Sequence, residues 1–290
     1  MVDKATLVVD GRTRSMIVVR PEQPVDGAPV VLVFHGSNQS GQIVREFSAY
    51  TFDRYADEAG TVVIYPDGYK KHWNDARVHS SFAARKEGFD DVAFTRAILD
   101  WVETTYHTDP SRVFAIGFSN GGQMVIRLAH DTPVCLAGIA IISATQPVPE
   151  NFLPQTAEVV ALPTMLMHGT KDPLVPYDGG MASLWGFMPR GLGLSASDTA
   201  AYYARRNGIS TAPTSRLIQS ASRADPTSIE QTDYRQEGRP PVTLLTIHGG
   251  GHTVPGPKKA PRVMGRSTGH FVAADTIEAF FGLPTYVHSR

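Results

Sequence analysis

The sequence predicts an α/β fold: one doubly wound, mostly parallel sheet with an N-terminal antiparallel hairpin. Three observations predict it. Short apolar, β-branched runs at Val30–Phe34, Thr61–Tyr65, Val113–Ile116, Gly138–Ile142, Thr164–Met167 and Val242–Ile247 alternate with segments of helical periodicity, the pattern of buried parallel strands and their crossover helices. Thr6–Val9 and Ser15–Val19 flank Asp10-Gly11, a dipeptide that tolerates the positive φ values of a tight hairpin turn. Between Arg112 and His130 the chain reads strand, then Gly117-Phe118-Ser119-Asn120-Gly121, then helix. In that context G-x-S-x-G is a turn so sharp that its serine is strained and its glycines leave room for the neighbouring strand and helix.

Taken in order, the hairpin is followed by a loop with Pro21, Pro24 and Pro29, then the Val30–Phe34 strand and the polar loop His35–Gly41. Tyr50–Ala59 reads as a helix stopped by Gly60, and a long loop from Pro66 to about Arg85 carries Trp73. Asp90 or Asp91 caps a helix whose apolar face is Val92, Ile98, Leu99, Val102 and Tyr106. After the serine turn, Met124, Val125, Leu128 and Ala129 repeat at helical spacing. Ser197 or Asp198 is expected to cap a helix to Asn207, with Gly208 ending it. Ser210–Thr227 reads as polar linker, Ile229–Gln236 as a partner for Val242–Ile247, and Val272–Phe281 as the closing helix. Residues 1–290 read as a single domain. Gly179–Ala196, glycine-rich with Trp185, Phe187 and Met188, is an insertion or lid expected to select substrates.

Composition excludes several classes. The 27 basic and 28 acidic residues nearly cancel, so no polyanion such as nucleic acid is expected as partner. The lone Cys135 rules out an internal disulfide framework and fits a reducing compartment. No apolar run approaches the roughly 20 residues that span a bilayer, and MVDKATLVVDG lacks the apolar core of a signal peptide. The expectation is a cytoplasmic protein without membrane attachment. Its histidines show neither H-x-x-x-H nor H-E-x-x-H spacing, and Gly249-Gly250-Gly251 has no P-loop lysine after it, so neither metal nor nucleotide cofactor is expected.

A serine hydroxyl needs an imidazole to take its proton, and the imidazole needs a carboxylate to hold its tautomer. In open α/β sheets such groups sit on loops at the carboxyl ends of strands. Asp172 follows the Thr164–Met167 strand and His252 follows Val242–Ile247, which yields the chain order Ser119, Asp172, His252. His168 and His248 end strands and are assigned to the interior, His35 to positioning its loop, and Asp178 is the alternative acid. The oxyanion donors are expected to be the backbone N–H groups of Ser37 and Asn120. A second G-x-S-x-G, at 265–269, follows a proline-bearing basic loop, and its Ser267 or Thr268 is read as a cap for the last helix.

HGSNQSG at 35–41, YPDG at 65–68 with Trp73-Asn74, DDVAF at 90–94, GFSNGGQM at 117–124, HGTKDPLVPY at 168–177 and GGGHTVPG at 249–256 together resemble the poly(3-hydroxybutyrate) depolymerase and feruloyl esterase group of α/β-hydrolases. The resemblance runs from about Met16 to Phe281. It implies a cofactor-independent carboxylic ester hydrolase with catalytic Ser119, Asp172 and His252, oxyanion donors Ser37 and Asn120, and Trp73 lining the substrate cleft. A small or oligomeric ester is the expected substrate. An acyltransferase or peptidase using the same residues is the alternative, and a non-catalytic binding protein is the reading least favoured.

Overall fold

The computed structural model describes residues 1–290 apart from 24, 155–158, 185 and 284–290. In chain order the main elements are β1 (Val2–Val9), β2 (Arg12–Val19), β3 (Val30–Phe34), α1 (Gly41–Phe47), α2 (Arg54–Ala59), β4 (Val62–Pro66), α3 (Ala83–Lys86), α4 (Asp91–Tyr106), β5 (Val113–Phe118) and α5 (Asn120–Asp131). There follow β6 (Gly138–Ile142), β7 (Thr164–Gly169), β8 (Gly180–Met181), β9 (Leu192–Gly193), α6 (Ala196–Arg206), β10 (Thr214–Gln219), β11 (Ser228–Tyr234), β12 (Val242–His248) and α7 (Ala273–Phe281).

Ten of these strands form one sheet in the order β1-β2-β4-β3-β5-β6-β7-β12-β11-β10. The run from β4 to β12 is parallel, and antiparallel pairs close both edges. The central strands are apolar at every position because both faces are covered, and two clusters of buried side chains form the two layers of core. The first hairpin turns at Asp10 and Gly11, both with positive φ, and pairs Val9 with Arg12 as its sequence predicts.

Several expectations change. The segment read as linker, Ser210–Thr227, contains β10, an exposed edge strand whose polar sequence hides it from a search for buried runs. Ser195, not Ser197 or Asp198, caps α6 by accepting from the Asp198 N–H at 2.9 Å. Asp90 does cap α4, accepting from Ala93 N–H at 2.8 Å. Asp91 instead lies buried, bound to Arg14 at 2.6 Å and to the Asn74 N–H at 2.7 Å, which ties the first hairpin to the Trp73 loop. Neither Ser267 nor Thr268 caps α7. Ser267 Oγ accepts from Ala260 N–H, and Thr268 is buried against Thr227 and Asp225. Cys135 is half-buried, its sulfur accepting from the Thr132 hydroxyl. Among the described residues no helix is long and apolar enough to cross a membrane.

Two buried histidines give the fold an acid-sensitive character. Burial lowers His35 to about 4, and it lowers His130, which also faces Arg206, to about 4, both from an ordinary 6.5. In the unfolded chain these side chains protonate near their ordinary value, so between pH 6.5 and 4 the unfolded state binds protons that the folded state refuses. Stability is complete above that window and is lost as pH falls through it, by up to about 3 kcal/mol per histidine. Urea midpoints at pH 7 and pH 4.5 are expected to show that loss, and a flat profile between them would refute it.

Candidate active site

Ser119 closes β5 and opens α5. Its φ of 55° and ψ of −115° lie in a region that a non-glycine residue adopts only when its surroundings force it. The force comes from both sides: the Ser119 N–H donates to Ile142 O at 2.9 Å, and its carbonyl accepts from Gln123 N–H at 3.0 Å. The glycines follow from space. A Cβ on Gly117 would lie 2.2 Å from Gly121 O, and one on Gly121 would lie 2.1 Å from Phe34 O. Although Ser119 occupies the N-cap position, its side chain makes no capping bond, and the residue is only partly buried. Its hydroxyl is left for other use.

The loops after β7 and β12 meet because these strands are parallel neighbours, with Ile247 opposite Gly169. Lys171 N–H donates to Gly250 O at 2.8 Å, which locks the two loops together. His252 Nδ1 then stands 2.7 Å from Asp172 Oδ2. The other carboxylate oxygen accepts from the backbone N–H of Leu174 and of Val175, each at 2.8 Å. Burial alone would raise the Asp172 carboxyl, but His252, His168 and the Val175 N–H outweigh it and hold it below the ordinary carboxylate range. Asp178, the alternative acid, is exposed. The His252 ring packs on Phe118, the residue before Ser119, with centroids 5.0 Å apart. His168 is buried beside Asp172, 3.5 Å from the same Oδ2, and His248 pairs with Glu230.

Ser37 and Asn120 line one cleft with Ser119, about 60 Å³ in volume. Among the described residues the N–H groups of Ser37 and Asn120 have no acceptor, as donors reserved for a ligand would. Beneath them His35 is a structural group. Gly68 N–H donates to its Nε2 at 2.9 Å, so Nδ1 carries the proton and donates to Gly36 O at 2.7 Å. A neutral, fully buried imidazole thus pins the Ser37 loop to the loop after β4.

Trp73 does not line the cleft. It is wholly buried, its indole N–H donates to His35 O at 2.9 Å, and its ring packs on Phe34 and His35. A large ring with one polar edge fits a site under the Ser37 loop, and that is the work it does here. Trp185, the other expected substrate contact, lies outside the described residues. Its neighbours do reach the site. The insertion forms the β8–β9 hairpin, and Ala182, Ser183, Leu184 and Arg190 wall the cleft. The hairpin is fastened by Ser183 N–H to Leu174 O, Leu194 N–H to Gln146 O, and Asn151 Nδ2 to Arg190 O and Leu192 O. Phe187 and Met188 are exposed and do not line the cleft.

Sequence reasoning missed a buried network at the same place. Asn120 Nδ2 donates to Asp75 Oδ2 at 2.6 Å, while its Oδ1 accepts from Trp73 N–H at 3.0 Å. Asp75 is fully buried and paired with Arg77, whose Nη2 and Nε donate at 2.5 and 3.1 Å. The only sequence signal was an acid and a base two apart in a loop after a buried strand, which is too common to single out. Among the described residues no group of three or more His, Cys, Asp or Glu side chains could hold a metal ion.

In sequence and in fold the chain is similar to known ester hydrolases. The chain is 30% identical over 285 residues to the putative esterase NocK of Nocardia uniformis, spanning 94% of this chain and 80% of that one. It is 28% identical over 134 residues to feruloyl esterase B of Thermothelomyces thermophilus, a match over 44% of this chain and 43% of that one. An acetyl xylan esterase from Aspergillus awamori superposes over 98% of this chain and 99% of its own, at 17% identity and a TM-score of 0.66, which shows a shared fold. Residues 15–184 match the family model described as phospholipase/carboxylesterase. With more than half its length inside that model, the chain belongs to the phospholipase/carboxylesterase family of ester hydrolases, built on the α/β-hydrolase fold.

Proposed function

We propose that this protein hydrolyses small carboxylic esters through an acyl-enzyme on Ser119. One observation carries the reading: a strained, uncapped serine opens onto the cleft that holds two unused N–H groups, and the residue before it packs on an imidazole already hydrogen-bonded to a buried carboxylate. In the first half-reaction Ser119 Oγ attacks the ester carbon and its proton passes to His252 Nε2. Asp172, kept ionised, accepts from Nδ1–H and stabilises the imidazolium. The carbonyl oxygen becomes an oxyanion and accepts from Ser37 and Asn120 N–H, aided by the positive end of α5. The alcohol leaves with the proton from His252. Water then repeats the sequence on the acyl-enzyme and releases the acid.

The cleft at Ser119 is walled on one side by the insertion, which supports a small ester rather than a polymer chain as substrate. The relatives named as esterase and feruloyl esterase support this broad class. The single, half-buried cysteine is consistent with work in a reducing compartment. A fluorophosphonate probe is expected to label the protein at Ser119, and p-nitrophenyl acetate to be turned over; an unlabelled Ser119 would overturn the reading. Because the Ser37 donor is backbone, Ser37→Ala is expected to change kcat/KM by less than about threefold, against the 10²- to 10³-fold cost of deleting a side-chain oxyanion donor. Steady-state kinetics on the same ester checks this.

A further inference from the structure

The charge of the cleft is one-sided. Its lining contains two guanidinium groups, Arg77 and Arg190, and no carboxylate. Asp75 is the counter-ion behind them, but it is committed: Oδ1 accepts from the Arg77 backbone N–H and Nε, and Oδ2 from Arg77 Nη2 and Asn120 Nδ2. Among the described residues Arg190 therefore has no acid of its own. Its guanidinium lies 4.0 Å from the centre of the Phe82 ring, a contact that orients it without neutralising it. Among the described residues its Nη1 is buried and has no hydrogen-bond partner. Burial first, and then repulsion from Arg77, lowers Arg190 to about 10, so it keeps its proton near neutral pH. Arg190 as a residue is only half-buried and lines the cleft, so a ligand bound there can supply the acceptor that the protein does not.

We propose that Arg190, backed by Arg77, binds a carboxylate on the substrate, so that the preferred ester carries one negative charge beside the bond to be cleaved. This rests on the ester-hydrolase reading and narrows it. A carboxylate suits the site because a guanidinium presents paired donors that match its two oxygens. Arg190 rides on the β8–β9 hairpin, so the insertion contributes charge selection to the cleft as well as a wall. Arg190 is then a specificity residue that touches the substrate away from the reacting atoms.

The test compares anionic esters with neutral counterparts of similar shape. Monophenyl adipate against phenyl hexanoate places the charge on the acyl side, and 3-acetoxybenzoate against 3-acetoxybenzamide places it on the alcohol side. In one of the two pairs the anion is expected to have the higher kcat/KM by about tenfold or more, the scale of a hydrogen bond to a charged group. Arg190→Gln is expected to bring that ratio close to one, chiefly through KM, and Arg190→Lys to retain part of it. Raising salt is expected to narrow the wild-type ratio and to leave that of Arg190→Gln unaltered. Fluorophosphonate labelling of Ser119 in each variant reports that the site is still folded. Neutral esters turned over as well as both anions, or a ratio untouched by Arg190→Gln in labelled protein, would overturn the proposal while leaving the esterase reading standing. Failure of the wild-type protein on all four esters and on the fluorophosphonate would overturn both.

Discussion

Ser119→Ala is expected to lower kcat on p-nitrophenyl acetate by about 10⁶-fold, to the level left by binding and the oxyanion donors alone. His252→Ala is expected to match it, and the double variant to be no worse, because the two groups act in one proton transfer. Asp172→Asn is expected to cost about 10⁴-fold, since an amide at that place would hold the imidazole in the wrong tautomer. The geometry sets this ranking. Asp172 meets His252 at 2.7 Å, with its second oxygen anchored by two backbone N–H groups, so the asparagine amide would have to turn an N–H₂ toward either the ring or those donors. Stopped-flow and steady-state assays of the four proteins check the scale. Additive losses, or a Ser119→Ala protein within tenfold of the parent, would refute the shared mechanism.

Asp75→Ala is expected to destabilise the protein by about 3–5 kcal/mol, the cost of stranding a buried charge. The stranded group is Arg77, whose side chain is 7% exposed and whose carboxylate partner is fully buried. The same change frees the Asn120 side chain, which Asp75 holds from one end and the Trp73 N–H from the other. Catalysis should therefore fall with stability even though Asp75 does not line the cleft. Removing both charges in Asp75→Ala/Arg77→Met is expected to recover most of the stability and little of the activity, because a well-packed apolar pair can replace an ion pair but cannot tether Asn120. Urea unfolding and ester turnover on the three proteins separate the two effects. Full recovery of activity in the double variant would show that the tether does nothing.

Residues whose environment is set by near neighbours in the chain were legible. Asp10-Gly11, the apolar runs of β3, β5 and β6, Gly60 ending α2 and the glycines around Ser119 each follow from local sterics or from period. The polar strand β10 was not, because an exposed edge strand has no buried face to impose a pattern. Asp172 and His252 could be named from their place after strands, since parallel neighbours carry their loops to the same end of the sheet.

What the chain determines by itself is the sheet, the serine turn at its carboxyl edge, and the membership of Asp172 and His252 in the loops that face that turn. Tertiary structure alone decided that Trp73 goes inward to hold His35, that Asp75, paired with Arg77, holds Asn120, and that Arg190 crosses from the hairpin to the cleft wall. The physical reason is range. Turn sterics and burial period act over a few residues, whereas these contacts join segments 38, 45 and more residues apart, where many side chains of the same chemistry compete for one partner.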